Sequence, residues 1–301
     1  MLLKAGPFAF KIPCRVTYHM VADNRLEENQ PMNKLTRSLT AVFSLFFIAA
    51  QPCLAQHSED PATYEKEMAL KYPGYFTINP ASVKVTLLGI SEEADMGYVK
   101  LQEQPRDLNG VLVSIESIVN IAQKVWKIVE ANKPVVNIQT KYATAYPEGI
   151  TAAAQLSSWS KPKTYSYGFY AENLFGMVMI DAKYKVSYSY NGNYKGKGKY
   201  LTGVAVIPTV ADVGWSYTFT MAASVPDSTV TNVGTDADPV AALQMKLSWK
   251  MSTILKEVDG SSVYYVQGDG IFEEIASPFT KGKPEELRPV AAVLLNPDKV
   301  F

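Results

Sequence analysis

Lys195, Lys197 and Lys199 occupy every second position of the run Lys-Gly-Lys-Gly-Lys. Alternate side chains of a strand share a face, so this run gathers three ammonium groups on one side of a sheet. Such a comb suits an anionic ligand, either a lipid headgroup or an acidic glycan, and it also discourages edge-to-edge pairing of strands. The glycines do not form a phosphate loop, because they sit within a strand pattern rather than between a strand and a helix. Tyrosine is the other unusual feature. Tyr165, Tyr167, Tyr170, Tyr184, Tyr188, Tyr190, Tyr194, Tyr200, Tyr264 and Tyr265 crowd one region, where cross-strand packing accounts for most of them. Tyr170 lies off the parity of Tyr165 and Tyr167 and is the candidate for stacking on a sugar or an apolar molecule. The candidate ligand-binding residues are therefore Tyr170, Lys195, Lys197 and Lys199.

The chain holds two cysteines and two histidines. Cys14, Cys53 and His19 fall in a leader expected to be removed, and His57 falls beside the new terminus. A Ser-His or Cys-His pair then has no base in the domain, and a zinc site of His and Cys has no ligands. Carboxylates remain. Asp269 and Glu273, with Glu274 beside them, fall on one strand-like stretch; four residues of extended chain separate the first two by roughly 13 Å, too far for a glycosidase pair. Solvated strand charge is the simpler account. Asp236 and Asp238 could touch calcium, but two loop aspartates fall short of the roughly six oxygens that ion takes. No catalytic residue, metal site or cofactor is assigned.

A basic segment, Met32 to Arg37, an uncharged apolar run, Leu39 to Ala50, and small residues ending at Ala55 reproduce the layout of a secretory signal peptide. The apolar run is shorter than the roughly 20 residues that cross a bilayer, so no integral span is expected in the mature chain. Residues 1–31 read as an upstream leader, 32–55 as the signal, 56–280 as an exported domain and 281–301 as a tail. Residues 56–301 carry 23 basic and 26 acidic side chains. That balance gives no electrostatic case for nucleic acid.

The elements that must position these residues follow from periodicity. Ala62 to Tyr72 reads as a short helix opened by Pro61, and Ser82 to Ile90 and Tyr98 to Leu101 as strands. Val111, Leu112, Ile115, Ile118, Val119, Ala122, Val125, Trp126 and Val129 recur at helical spacing, predicting one long amphipathic helix over 110–131, capped by Asn109 and stopped by Pro134. From Val135 the period falls to two. Val178, Ile180, Ala182, Tyr184, Val186 and Tyr188 form one face of a strand that reverses at Asn191-Gly192. Val213 to Met221 and Leu243 to Met251 form further one-sided strands, and Asp259-Gly260 marks a second reversal into Val263 to Ile275.

The expected fold is mainly β, an antiparallel β-sandwich or open barrel with one long amphipathic helix packed against it. The expected function is that of an exported, periplasmic or extracellular, non-enzymatic binding or structural protein. A glycan, a lipid or an envelope protein is the candidate partner. Two alternatives compete: a carbohydrate-active hydrolase using carboxylates, and an outer-membrane β-barrel suggested by the alternating strands and Phe301.

Overall fold

The chain divides into two units, 1–55 and 56–301. The computed structural model describes residues 61–93, 110–130, 133–134, 141–277 and 280–282, all within the second unit. In chain order the elements are α1 (Pro61–Lys71), β1 (Lys84–Glu92), β2 (Ser114–Val119), β3 (Val125–Glu130), β4 (Lys133–Pro134), β5 (Ala143–Glu148), β6 (Lys163–Glu172), β7 (Val178–Tyr194) and β8 (Lys197–Val213). They continue with β9 (Thr218–Ser224), β10 (Thr231–Asn232), β11 (Ala241–Ser252), β12 (Glu257–Gln267), β13 (Phe272–Ala276) and β14 (Thr280–Lys281). One sheet runs β14-β1-β6-β7-β8-β5-β2; the other runs β13-β12-β11-β9-β3-β4, with β10 beside β11. Among the described residues the strands pair antiparallel except for the two-residue contact of β1 with β14, and Lys199 makes an isolated parallel bridge to Val240. The sheets do not close into a barrel; they face one another as a β-sandwich.

Period-two patterning explains the layers. In β7, Ile180, Ala182, Tyr184, Val186 and Tyr188 all enter the main core, each at most 1 % exposed. In β11, Leu243, Met245, Leu247, Trp249 and Met251 do the same from the other sheet. Phe169 of β6 meets Trp249 edge-on at 4.6 Å between ring centres and Phe219 of β9 at 5.0 Å. Tyr167 stacks on Tyr184 at 5.5 Å, and the Tyr184 hydroxyl meets the Tyr264 hydroxyl of β12 at 2.8 Å. Tyr165 stacks on Phe272 of β13 at 3.8 Å. The tyrosine-rich stretch is thus the glue between the sheets. Its alternation fails at Val178: the pairing shifts between Ala171 and Glu172, so Met179 joins the core and Val178 packs with Tyr170 in a separate cluster.

Several local expectations are corrected. Residues 110–131 do not form the long helix; the described ones make β2 and β3, which belong to opposite sheets. The stripe is rich in β-branched Val and Ile, which pack better on a pleated surface than on a helix. Asn120 makes the corner between the two strands, accepting the Ala122 and Thr144 N–H groups at 3.1 Å each. Leu112, counted on the buried stripe, is 94 % exposed. The single described α-helix is the short α1, as expected from Pro61.

The central reversal also moves. Its two corner residues are Lys195 (φ 52°) and Gly196 (φ 79°), with Tyr194 paired to Lys197. Two consecutive positive φ values are what a two-residue hairpin turn needs. Asn191, at φ 62°, instead makes a bulge within β7 where the register to β8 shifts. Asp259-Gly260 lies inside β12, paired to Lys250 and Trp249; β11 turns at Thr253–Lys256, and Asp269-Gly270 (φ 95°) forms the corner before β13. The strand expected from Val213 begins at Thr218, after a turn through Gly214. The strand expected at Tyr98 to Leu101, residues 135–140, the leader and signal residues, both cysteines, both histidines and most of the 281–301 tail lie outside the described residues.

Gly192 is where the bulge meets the core. A Cβ there would fall 2.3 Å from the Trp159 ring, whose indole N–H donates to the Ala153 carbonyl at 3.0 Å. Gly192→Ala is therefore expected to cost about 1–3 kcal/mol in urea unfolding, since the ring must leave its seat. At Gly89 a Cβ would meet nothing within 4 Å, so Gly89→Ala is the control and should stay within about 0.5 kcal/mol of the parent.

Candidate functional site

The outer face of the second sheet carries the candidate site. Because Leu243, Met245, Leu247 and Trp249 point inward, Gln244, Lys246, Ser248 and Lys250 must point outward. Register then aligns three rows across the strands. Ala222, Ser248 and Ser261 form the middle row, with Lys127 of β3 opposite Ala222 at its end. Thr220, Lys250 and Asp259 form one flanking row; Ser224, Lys246 and Val263 form the other. Small side chains in the middle sink the floor, and the long lysines on either side raise the walls. The result is an open depression of about 330 Å³ lined by Thr220, Ala222, Ser248 and Ser261 between Lys246 and Lys250.

The side chains there offer hydrogen-bonding groups and charge. Three hydroxyls can donate or accept, and Asp259 can only accept when ionised. Lys250 is held by Glu257 at 2.7 Å, and Lys127 pairs with Glu130. Lys246 is exposed and makes no ion pair among the described residues. No histidine or cysteine occurs among the described residues, and no three of His, Cys, Asp and Glu among them converge on a metal position.

The residues singled out from sequence fall in two distant places. Lys195, Lys197 and Lys199 come together, all exposed, at the tip of the β7–β8 hairpin. Lys195 lies over the Tyr194 ring at 5.0 Å. The Gly198 N–H between the other two donates to the Asp238 carboxylate at 2.9 Å. Tyr170 pairs with Asp181 at the other end of β7, roughly 40 Å along the strand from the tip. It is 2 % exposed and its hydroxyl donates to Glu172 at 2.6 Å, so no open ring face is left there for a ligand. Asp269 and Glu273 do not share a strand: Asp269 caps the turn before β13, accepting from the Gln267 side chain at 3.0 Å and the Ile271 N–H at 3.2 Å. Asp236 stands in the exposed loop before β11. The groove was not legible from sequence, because its rows depend on the register of three strands. Its local signals are the small outward residues Thr220, Ala222 and Ser224 of β9 and Ser248 between two lysines of β11.

Comparison with family models, with curated proteins and with solved structures returned no match.

Glu274 is the unusual titratable group. It pairs in register with Tyr264, and its Oε1 is buried without a hydrogen bond. Its other oxygen lies 4.0 Å from the Lys281 ammonium. Burial raises its pKa above the ordinary carboxylate value, and Lys281 offsets this only in part. A carboxyl that holds its proton more tightly when folded favours the fold at low pH. That contribution disappears as pH rises from the unfolded pKa through the raised folded one. Asp181, buried and set opposite Asp212, titrates in the same sense. Glu274→Gln should therefore raise the urea midpoint at pH 7 and flatten the decline of stability above about pH 4.3, as measured by unfolding curves across that range.

Proposed function

We propose that this chain is an exported, non-enzymatic binding protein that holds an acidic carbohydrate chain across the outer face of its second sheet. Export rests on the signal-like layout of residues 32–55, which directs the domain to the periplasm or the cell exterior. The carrying observation is the row of small residues Ala222, Ser248 and Ser261 lying between two lysine-bearing rows. Three strands spaced about 4.8 Å apart make a floor about 10 Å long, enough for a short run of sugar rings. Hydroxyls along the floor match a polyhydroxylated ligand, and Lys246, which makes no ion pair among the described residues, matches a carboxylate or sulfate substituent, whereas Lys250 is already held by Glu257.

Calorimetric titration of acidic and neutral oligosaccharides tests this reading. Binding of an acidic oligosaccharide is expected, lost when Ser248→Trp fills the floor and weakened about tenfold by Lys246→Ala, a charge-assisted contact. Neither substitution should shift the unfolding midpoint. Replacing Lys195, Lys197 and Lys199 together by alanine should leave the affinity unchanged. The reading fails if no acidic glycan binds, if Ser248→Trp binds normally, or if the hairpin lysines prove to be the determinants.

A further inference from the structure

One end of the sandwich, away from the lysine hairpin, is built from turns whose corners are greasy. The β6–β7 turn runs Asn173-Leu174-Phe175-Gly176, closed by the Gly176 N–H donating to the Asn173 carbonyl at 3.0 Å. The β11–β12 turn runs Thr253-Ile254-Leu255-Lys256, closed by the Thr253 N–H donating to the Lys256 carbonyl at 2.8 Å. Turn corners ordinarily take Gly, Pro, Asn, Asp or Ser. Here both central positions of both turns are large and apolar, and all four are exposed: Leu174 57 %, Phe175 49 %, Ile254 40 % and Leu255 48 %.

Neither turn is loose. The fully buried Asn173 accepts the Phe175 and Met177 N–H groups at 3.0 Å each. Thr253 Oγ1 accepts the Leu255 and Lys256 N–H groups and donates to the Phe76 carbonyl at 2.6 Å. The segment following α1 ties the two corners together. The Leu174 N–H donates to the Gly74 and Thr77 carbonyls, and the Phe175 ring lies against Gly74, where a Cβ would sit 2.7 Å from it. Leu70, on α1 just before that segment, is 83 % exposed.

We propose that this end of the protein docks on a lipid bilayer, with Leu174, Phe175, Ile254 and Leu255 entering the acyl boundary. The apolar groups stand on separate rigid corners rather than along one face, an arrangement that fluid lipid can surround. Of the backbone N–H groups in the two corners, those of Leu174, Phe175, Gly176, Thr253, Leu255 and Lys256 are bonded internally, so leaving water costs them little. Lys71 follows Leu70 and Lys256 follows Leu255 in the chain, placing ammonium groups at headgroup level. Tyr64 and Trp215, both half-buried and 6.0 Å apart, stand behind them as interfacial aromatics do. Four ordered side chains entering without rearrangement would bind reversibly, as a peripheral anchor does.

The test uses the full chain and vesicles of phosphatidylcholine and phosphatidylglycerol, some carrying brominated acyl chains. In F175W the added indole emission should shift blue on vesicle addition and be quenched by the brominated chains, beyond any change in the parent. In F175S/L255S vesicle affinity should fall roughly tenfold or more, with the unfolding midpoint preserved. An F175W emission that vesicles leave unchanged overturns the proposal. So does F175S/L255S binding vesicles as the parent does, or these residues governing only self-association in sedimentation velocity.

Discussion

A tyrosine buried between two sheets carries a hydroxyl that water no longer reaches, and leaving it unpaired would offset a large part of what burying its ring contributes. This constraint governs the interior. Tyr184 of the first sheet and Tyr264 of the second answer each other across the gap. Tyr188 donates to the Gly270 carbonyl, Tyr146 pairs with Thr202, and Tyr200 donates to the Ile115 carbonyl. Burial pushes the Tyr200 phenol up to about 12 and raises those of Tyr184, Tyr188 and Tyr264 further, so the phenols remain neutral donors. Each pairing also fixes a register: a strand that slipped by one residue would turn these rings to solvent and strand their partners.

The same interior explains what was legible in the sequence. The faces of β7 and β11 could be read because their apolar side chains alternate without interruption over Ile180–Tyr188 and Leu243–Met251. The stripe over 111–129 misled because Val and Ile at spacings of three and four satisfy a helix on paper, while their branched side chains and the pairing of β3 with β9 favour strands. Turn position was the least legible. Asn191-Gly192 carries a strong local hairpin signal, yet Trp159 needs the room at Gly192 and the corner falls at Lys195-Gly196. Bulk packing against a distant residue overrode a dipeptide preference.

The groove and the greasy corners belong to parts of the fold that periodicity cannot reveal, since both arise from neighbours brought together by pairing. Ala222, Ser248 and Ser261 are unremarked singly and make a floor only in register. Leu174, Phe175, Ile254 and Leu255 are not residue types that favour turns, and only the reversals of the chain place them at corners. In this reading the domain carries a sugar-binding face on one sheet and a lipid-facing end, with a tyrosine layer keeping the two sheets in fixed relation.

The tyrosine layer is tested most directly by a double-mutant cycle on Tyr184→Phe and Tyr264→Phe, followed by urea unfolding. If the paired hydroxyls hold the sheets in register, each single change strands its partner and costs about 1–3 kcal/mol. The double change should then cost less than the two together, by about 1 kcal/mol or more. Additive losses, or single changes without measurable cost, would contradict the central role of that pair.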